Sequence, residues 1–106
     1  MIIAFALIEN HPRSVINEHF GRCDWYGIYN TDTKESKFIE NPNRYAEEGA
    51  GCTSAELLMQ YNIQSIVAGR FGSRVVEFFN KNNIHMIIPD NMDKTMNDLI
   101  KLIQKS

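Results

Sequence analysis

Cysteine, proline and tryptophan are all scarce in this chain, with two Cys, three Pro and one Trp in 106 residues. In a reducing compartment an enduring disulfide between Cys23 and Cys52 is not expected. Two thiols are also too few for an all-cysteine metal site in one chain. Any cluster would need His, solvent, inorganic sulfide or a second chain to complete its ligands. Positive charge is not in surplus either, since 11 Lys and Arg stand against 13 Asp and Glu. A broad nucleic-acid footprint needs cations massed on one face, so none is expected. No apolar run approaches the ~20 residues that span a bilayer. The first such run, residues 1–8, has no basic leader and no small-residue cleavage site. The expectation is a cytoplasmic protein without a membrane partner. Residues 1–8 also hold no Asp or Glu, so they offer no foothold for carboxylate–metal nuclease chemistry. A Walker loop and a Ser–His–Asp arrangement are lacking too.

The 43% apolar content is that of an ordinary globular protein, and the length suits a single domain over residues 1–106. Residues 1–8 read as a strand buried on both faces, being short and continuously apolar. Residues 24–30, with Trp25, Tyr26, Ile28 and Tyr29, form a second strand. A turn at Thr31-Asp32-Thr33-Lys34 leads into a third at 37–40. So short a link requires that pair to be antiparallel. A polar loop ends in Gly49-Ala50-Gly51, and a helix follows whose Thr53 and Glu56 have capping-box spacing. Two further strands are expected at 63–68 and 84–88. A helix capped by Ser73 lies between them, and a last helix covers 93–104 with Met96, Leu99, Ile100 and Ile103 on one face. The order β-β-β-α-β-α-β-α implies a mixed sheet covered by helices.

Three strings could carry chemistry. His19-Phe20-Gly21-Arg22-Cys23-Asp24 gathers an imidazole, a guanidinium, a thiol and a carboxylate. Imidazole and thiolate suit soft metals and iron–sulfur clusters, and Arg22 could balance the charge of such a cluster. Cys52 stands just before the expected helix, whose positive end favours a thiolate. Gly69-Arg70-Phe71-Gly72 follows the fourth strand, where open α/β sheets tend to bind ligands. His19, Cys23 and Cys52 are therefore the candidate metal ligands, with Arg22, Gly69 and Arg70 beside them. The plainer reading is that each cysteine simply packs and that Gly69 and Gly72 serve only a turn. His11, His85 and the methionines need no functional explanation.

Further strings give the pattern its character. They are Ile39-Glu40-Asn41-Pro42, Gly49-Ala50-Gly51 opening a helix, and Val67-Ala68-Gly69 with Gly72. In this order, after His19-Phe20-Gly21-Arg22-Cys23 and an aromatic strand, they resemble the dinitrogenase iron–molybdenum cofactor biosynthesis family over nearly the whole chain. The resemblance implies a three-layer α/β/α, ribonuclease H-like fold, with a five-stranded sheet of order 3-2-1-4-5 and strand 2 antiparallel. It also implies a non-enzymatic protein that binds or carries an iron–sulfur or iron–molybdenum-type cluster. Its partners would be cluster-assembly or acceptor proteins. One branch of the family binds a molybdenum–copper sulfide. His19 matches the family's H-F-G histidine, whereas Cys23 and Cys52 match cysteines found in only part of it. Asn62 and Asn83 stand where relatives often have Gly, and Arg70 and Phe71 are larger than the residues common in their loop. With two thiols per chain, the protein is expected to be a monomer or a homodimer bridged by a cluster. The competing reading is an apo interaction or regulatory module, and a thiol-dependent enzyme built on Cys52 is a third.

Overall fold

A computed structural model describes residues 1–105. The strands are β1 (Ile2–Leu7), β2 (Trp25–Asn30), β3 (Ser36–Glu40), β4 (Ser65–Val67) and β5 (His85–Ile87). The helices are α1 (Ala50–Met59), α2 (Ser73–Lys81) and α3 (Met96–Lys105), and a 3-10 turn covers Phe20–Arg22. The sheet order is β3-β2-β1-β4-β5, as the resemblance implied. β2 runs antiparallel to β1 and β3, with Leu7 opposite Trp25 and Trp25 opposite Glu40. β4 and β5 run parallel to β1. The sheet ends at Leu7, Glu40, Val67 and Ile87 therefore lie along one edge.

β1 is central because both of its faces are covered. Ala4 and Ala6 point into one core, with Tyr26, Leu58 of α1 and Phe79 of α2. Ile3, Phe5 and Leu7 point into the other, with Met96, Leu99 and Ile100 of α3. The fold is thus three layers. Burying a large apolar side chain contributes about 1.5–3 kcal/mol, and Phe5, Leu7, Phe79 and Met96 are fully buried. The small Ala4 and Ala6 leave room on their face for the aromatic residues that anchor the site. Among the described residues, no helix is long and apolar enough to cross a membrane.

Asn62 and Asn83 both take the left-handed conformation, φ 59°, at the turns before β4 and β5. Asn tolerates this region because its short side chain can bond locally. The helix starts depart from the sequence reading. α1 begins at Ala50, with the left-handed Gly49 (φ 70°) as its N-cap, and Thr53 donates its N–H back to the Gly49 carbonyl. A glycine that can turn at positive φ starts the helix before Thr53 is reached. The capping box lies instead at the head of α3. There Thr95 N–H donates to Asp98 and Asp98 N–H donates to the Thr95 hydroxyl. As a result α3 starts later than position 93.

Candidate functional site

The sheet edge that ends β1 and β4 carries a cleft of about 800 Å³. Its walls are the His19–Arg22 turn, the first turn of α1, and the Arg70–Gly72 loop with the first turn of α2. Phe20 holds the first wall, being buried with ring centroids 5.6 Å from Tyr26, 5.6 Å from Phe71 and 5.4 Å from Phe79. The Tyr26 hydroxyl donates to the Phe20 carbonyl at 2.5 Å. A short parallel bridge joins this wall to the Arg70 loop. Arg70 N–H donates to the Glu18 carbonyl, and Phe20 N–H donates to the Arg70 carbonyl. Gly69 permits this approach, since a Cβ there would lie 2.6 Å from the Glu18 Cα. The first wall meets α1 through a glycine pair, because a Cβ on Gly21 would stand 2.7 Å from the Gly51 Cα. Both partners are backbone, so neither can yield.

Beneath the cleft, the buried Asn41 ties these walls together. Its amide donates to the carbonyls of Gly21 and Cys23, and its oxygen accepts from the Ser54 hydroxyl in α1. The strings Ile39-Glu40-Asn41-Pro42 and His19-Phe20-Gly21 therefore belong to one hydrogen-bonded unit.

The cleft is electropositive. The first amides of a helix have no intrahelical acceptor and carry the positive end of its dipole. In α1 these belong to Ala50, Gly51 and Cys52, and in α2 to Ser73, Arg74 and Val75; all six residues line the cleft. Neither helix has a side-chain cap. Arg22, Arg70 and Arg74 also line it, and among the described residues its lining includes no Asp or Glu. Arg74 makes no side-chain hydrogen bond or ion pair within the described residues, so its guanidinium is available to a ligand. Such a site suits an anion.

The sequence-predicted residues divide within this frame. His19, Arg22, Cys52 and Arg70 line the cleft, and Gly69 seats one wall from behind. Cys23 does not join them. It is fully buried in the core beside Tyr26, and burial pushes its thiol up to about 12. Arg22 lines the cleft, but its guanidinium donates to the carbonyls of Arg44, Ala46 and Glu47, which fastens the loop leading to α1. Among the described residues, no group of three or more His, Cys, Asp or Glu side chains is placed to hold a metal ion. His19, Cys23 and Cys52 are thus not assembled as one ligand set. The structure adds Arg74, the pairing of the two helix starts, and the role of Asn41 as a hydrogen-bonded tie. The available signals were Gly72-Ser73-Arg74 opening a helix and the Asn in Glu40-Asn41-Pro42.

The dinitrogenase iron-molybdenum cofactor family model matches residues 1–106. A curated relative, an uncharacterized protein (MJ0580) of Methanocaldococcus jannaschii, is 31% identical over 67 residues, covering 60% of this chain and 57% of the relative. The chain thus spans little more than half of that protein's length. Among solved structures, the apo form of the orange protein from Desulfovibrio gigas superposes with TM-score 0.90 at 16% identity, over 98% of this chain and 87% of that one. A putative NifB protein from Thermotoga gives TM-score 0.82 at 16% identity, over 99% and 88%. The crystal structure of PH0822 gives 0.78 at 20% identity, over 97% and 88%. At these identities the likeness is one of fold.

Proposed function

Taking as premise that this chain belongs to the dinitrogenase iron-molybdenum cofactor family, we propose that it is a non-enzymatic carrier of an anionic metal–sulfur cluster. The cargo would be of iron–sulfur or iron–molybdenum type, exchanged with cluster-assembly or acceptor proteins. The observation that carries this reading is the convergence of two uncapped helix starts, Arg70 and Arg74 on one cleft without a lining carboxylate. A thiolate-ligated metal–sulfide core is commonly a net anion, which such a cleft neutralises. In the lining Cys52 can also ligate metal directly, and His19 can meet a sulfide. A bare metal ion fits less well, since the cleft supplies one thiol, one imidazole and several cations. One thiol per cleft also suits a carrier, which must release what it holds. A Cys52 from a second chain would close the shell around the cluster, and light scattering of the loaded protein separates a monomer from a bridged dimer.

The test is anaerobic reconstitution, desalting, and assay of retained metal, sulfide and visible absorption. The wild type is expected to retain a defined cluster. Arg70→Glu with Arg74→Glu, two exposed positions, should fold normally and retain at least about tenfold less, a change equivalent to about 1.4 kcal/mol in binding. Equal retention by both proteins, or none by the wild type, overturns the proposal. The second result would favour the apo interaction module.

A further inference from the structure

Arg70 does more than add charge. Its Nε–H donates to Nδ1 of His19 at 3.2 Å. A guanidinium is always protonated and has no acceptor, so in this contact Nδ1 must present its lone pair. A neutral imidazole has one protonated nitrogen, and with Nδ1 accepting, the proton resides on Nε2. The backbone bridge fixes the pair, because the two residues sit opposite one another with hydrogen bonds on either side. Both side chains line the cleft.

We infer that Arg70 fixes His19 as an Nε2–H hydrogen-bond donor, so that the imidazole recognises an anion and does not ligate a metal cation. One ring lone pair is occupied by Arg70 and the other nitrogen carries a proton. Cation binding would therefore require breaking the Arg70 contact or losing the Nε2 proton. An oxo or sulfido group on an anionic ligand asks for neither, because it accepts the N–H as it stands. Arg70 is thus a positioning residue, and the pair acts as a filter that admits preassembled anions and turns away free divalent metals. The inference deepens the carrier reading and rests on it for the identity of the cargo, but the tautomer itself is a property of the apo chain.

The experiment has two arms. In the first, long-range nitrogen–proton correlation spectra are recorded on the uniformly labelled apo protein at alkaline pH, where imidazoles are neutral. His19 is expected as a single Nε2–H form, and Arg70→Met should relax it toward the tautomer mixture of the exposed His85. In the second, Co(II) and tungstate serve as cation and oxyanion probes. Arg70→Met should tighten Co(II) binding at His19 and weaken tungstate binding, each by about tenfold, because it frees a lone pair while removing a charge. Arg70→Lys keeps the charge without the planar fork. It should restore tungstate binding largely, yet leave the His19 tautomers mixed. An unchanged tautomer ratio in Arg70→Met, or wild-type Co(II) binding as tight as in that variant, overturns the inference. Failure of cluster retention alone would strike the carrier reading and leave the tautomer result standing.

Discussion

Cys23 and Cys52 belong to neighbouring segments of the same sheet edge, yet their surroundings are opposites. Cys23 lies beneath the cleft among Tyr26 and Asn41, wholly shielded from water. Cys52 occupies the first turn of α1 on the cleft wall, half-buried beside unpaired amides and arginines. The contrast arises from the geometry of the two segments. Phe20 and Cys23 are both buried, Phe20 in the aromatic cluster and Cys23 where the chain leaves the 3-10 turn in extended backbone, whereas His19 and Arg22 are exposed. Residue type alone suggests two equivalent ligands. The backbone makes one thiol part of the scaffold and leaves the other available to a ligand.

The scaffold side of this contrast is the easier to break. Gly21→Val places a branched side chain against the Gly51 backbone, where its Cβ alone would come within 2.7 Å. The turn and α1 must then separate. A loss of about 3 kcal/mol is expected in urea unfolding, at the upper end for overpacking. A midpoint close to that of the wild type would show that the two walls are not held in contact. Asn41→Leu should cost about 2 kcal/mol, because it leaves the Gly21 and Cys23 carbonyls without their buried donor. It should also raise the reactivity of Cys23 toward aromatic disulfides, which in the wild type should modify Cys52 alone.

Alkaline pH tests the buried thiol itself. An unfolded cysteine loses its proton near pH 8.5, while burial pushes Cys23 up to about 12. Between those values the native state holds a proton that the unfolded chain has released, so stability falls as pH rises. The slope from this one group is about 1.4 kcal/mol per pH unit, and its contribution is fully present below about pH 8.5. Tyr26, likewise raised by burial, adds to the same trend. The difference between wild type and Cys23→Ala isolates the thiol. Parallel stability curves from pH 8 to 11 would show that Cys23 reaches water in the native state.

The frame of the fold was legible because its signals are local and strong. The continuous apolar run at β1 marks a strand covered on both faces, and Asn62 and Asn83 fill positions where left-handed backbone is needed. The start of α1 was not legible, since Gly49 at positive φ outcompetes a capping box that reads equally well on paper. In the site, His19, Cys52 and Arg70 drew attention by residue type. Arg22 has its guanidinium bonded to three carbonyls of a loop some twenty residues later in the chain, and nothing in its neighbours along the sequence signals that. The pairing of the α1 and α2 starts depends on the right-handed packing of two crossovers. It becomes visible only when both helices are placed on one face of the sheet.

The mildest change tests the ligand side of the comparison. Cys52→Ser alters one atom on a half-exposed wall and leaves the helix start, the glycine pair and the Asn41 bonds untouched. Stability should change by no more than about 0.5 kcal/mol, as for surface substitutions away from special features. Cluster retention is the more telling measurement. If the cleft holds its cargo mainly through charge and helix amides, Cys52→Ser should retain the metal and sulfide in reduced amount, with a weakened thiolate charge-transfer band. The Arg70→Glu, Arg74→Glu protein should lose nearly all of it. If Cys52→Ser loses as much as the double charge reversal, the thiol is the principal anchor. The cleft would then be a ligand site with one protein sulfur, and not an anion site that happens to include one.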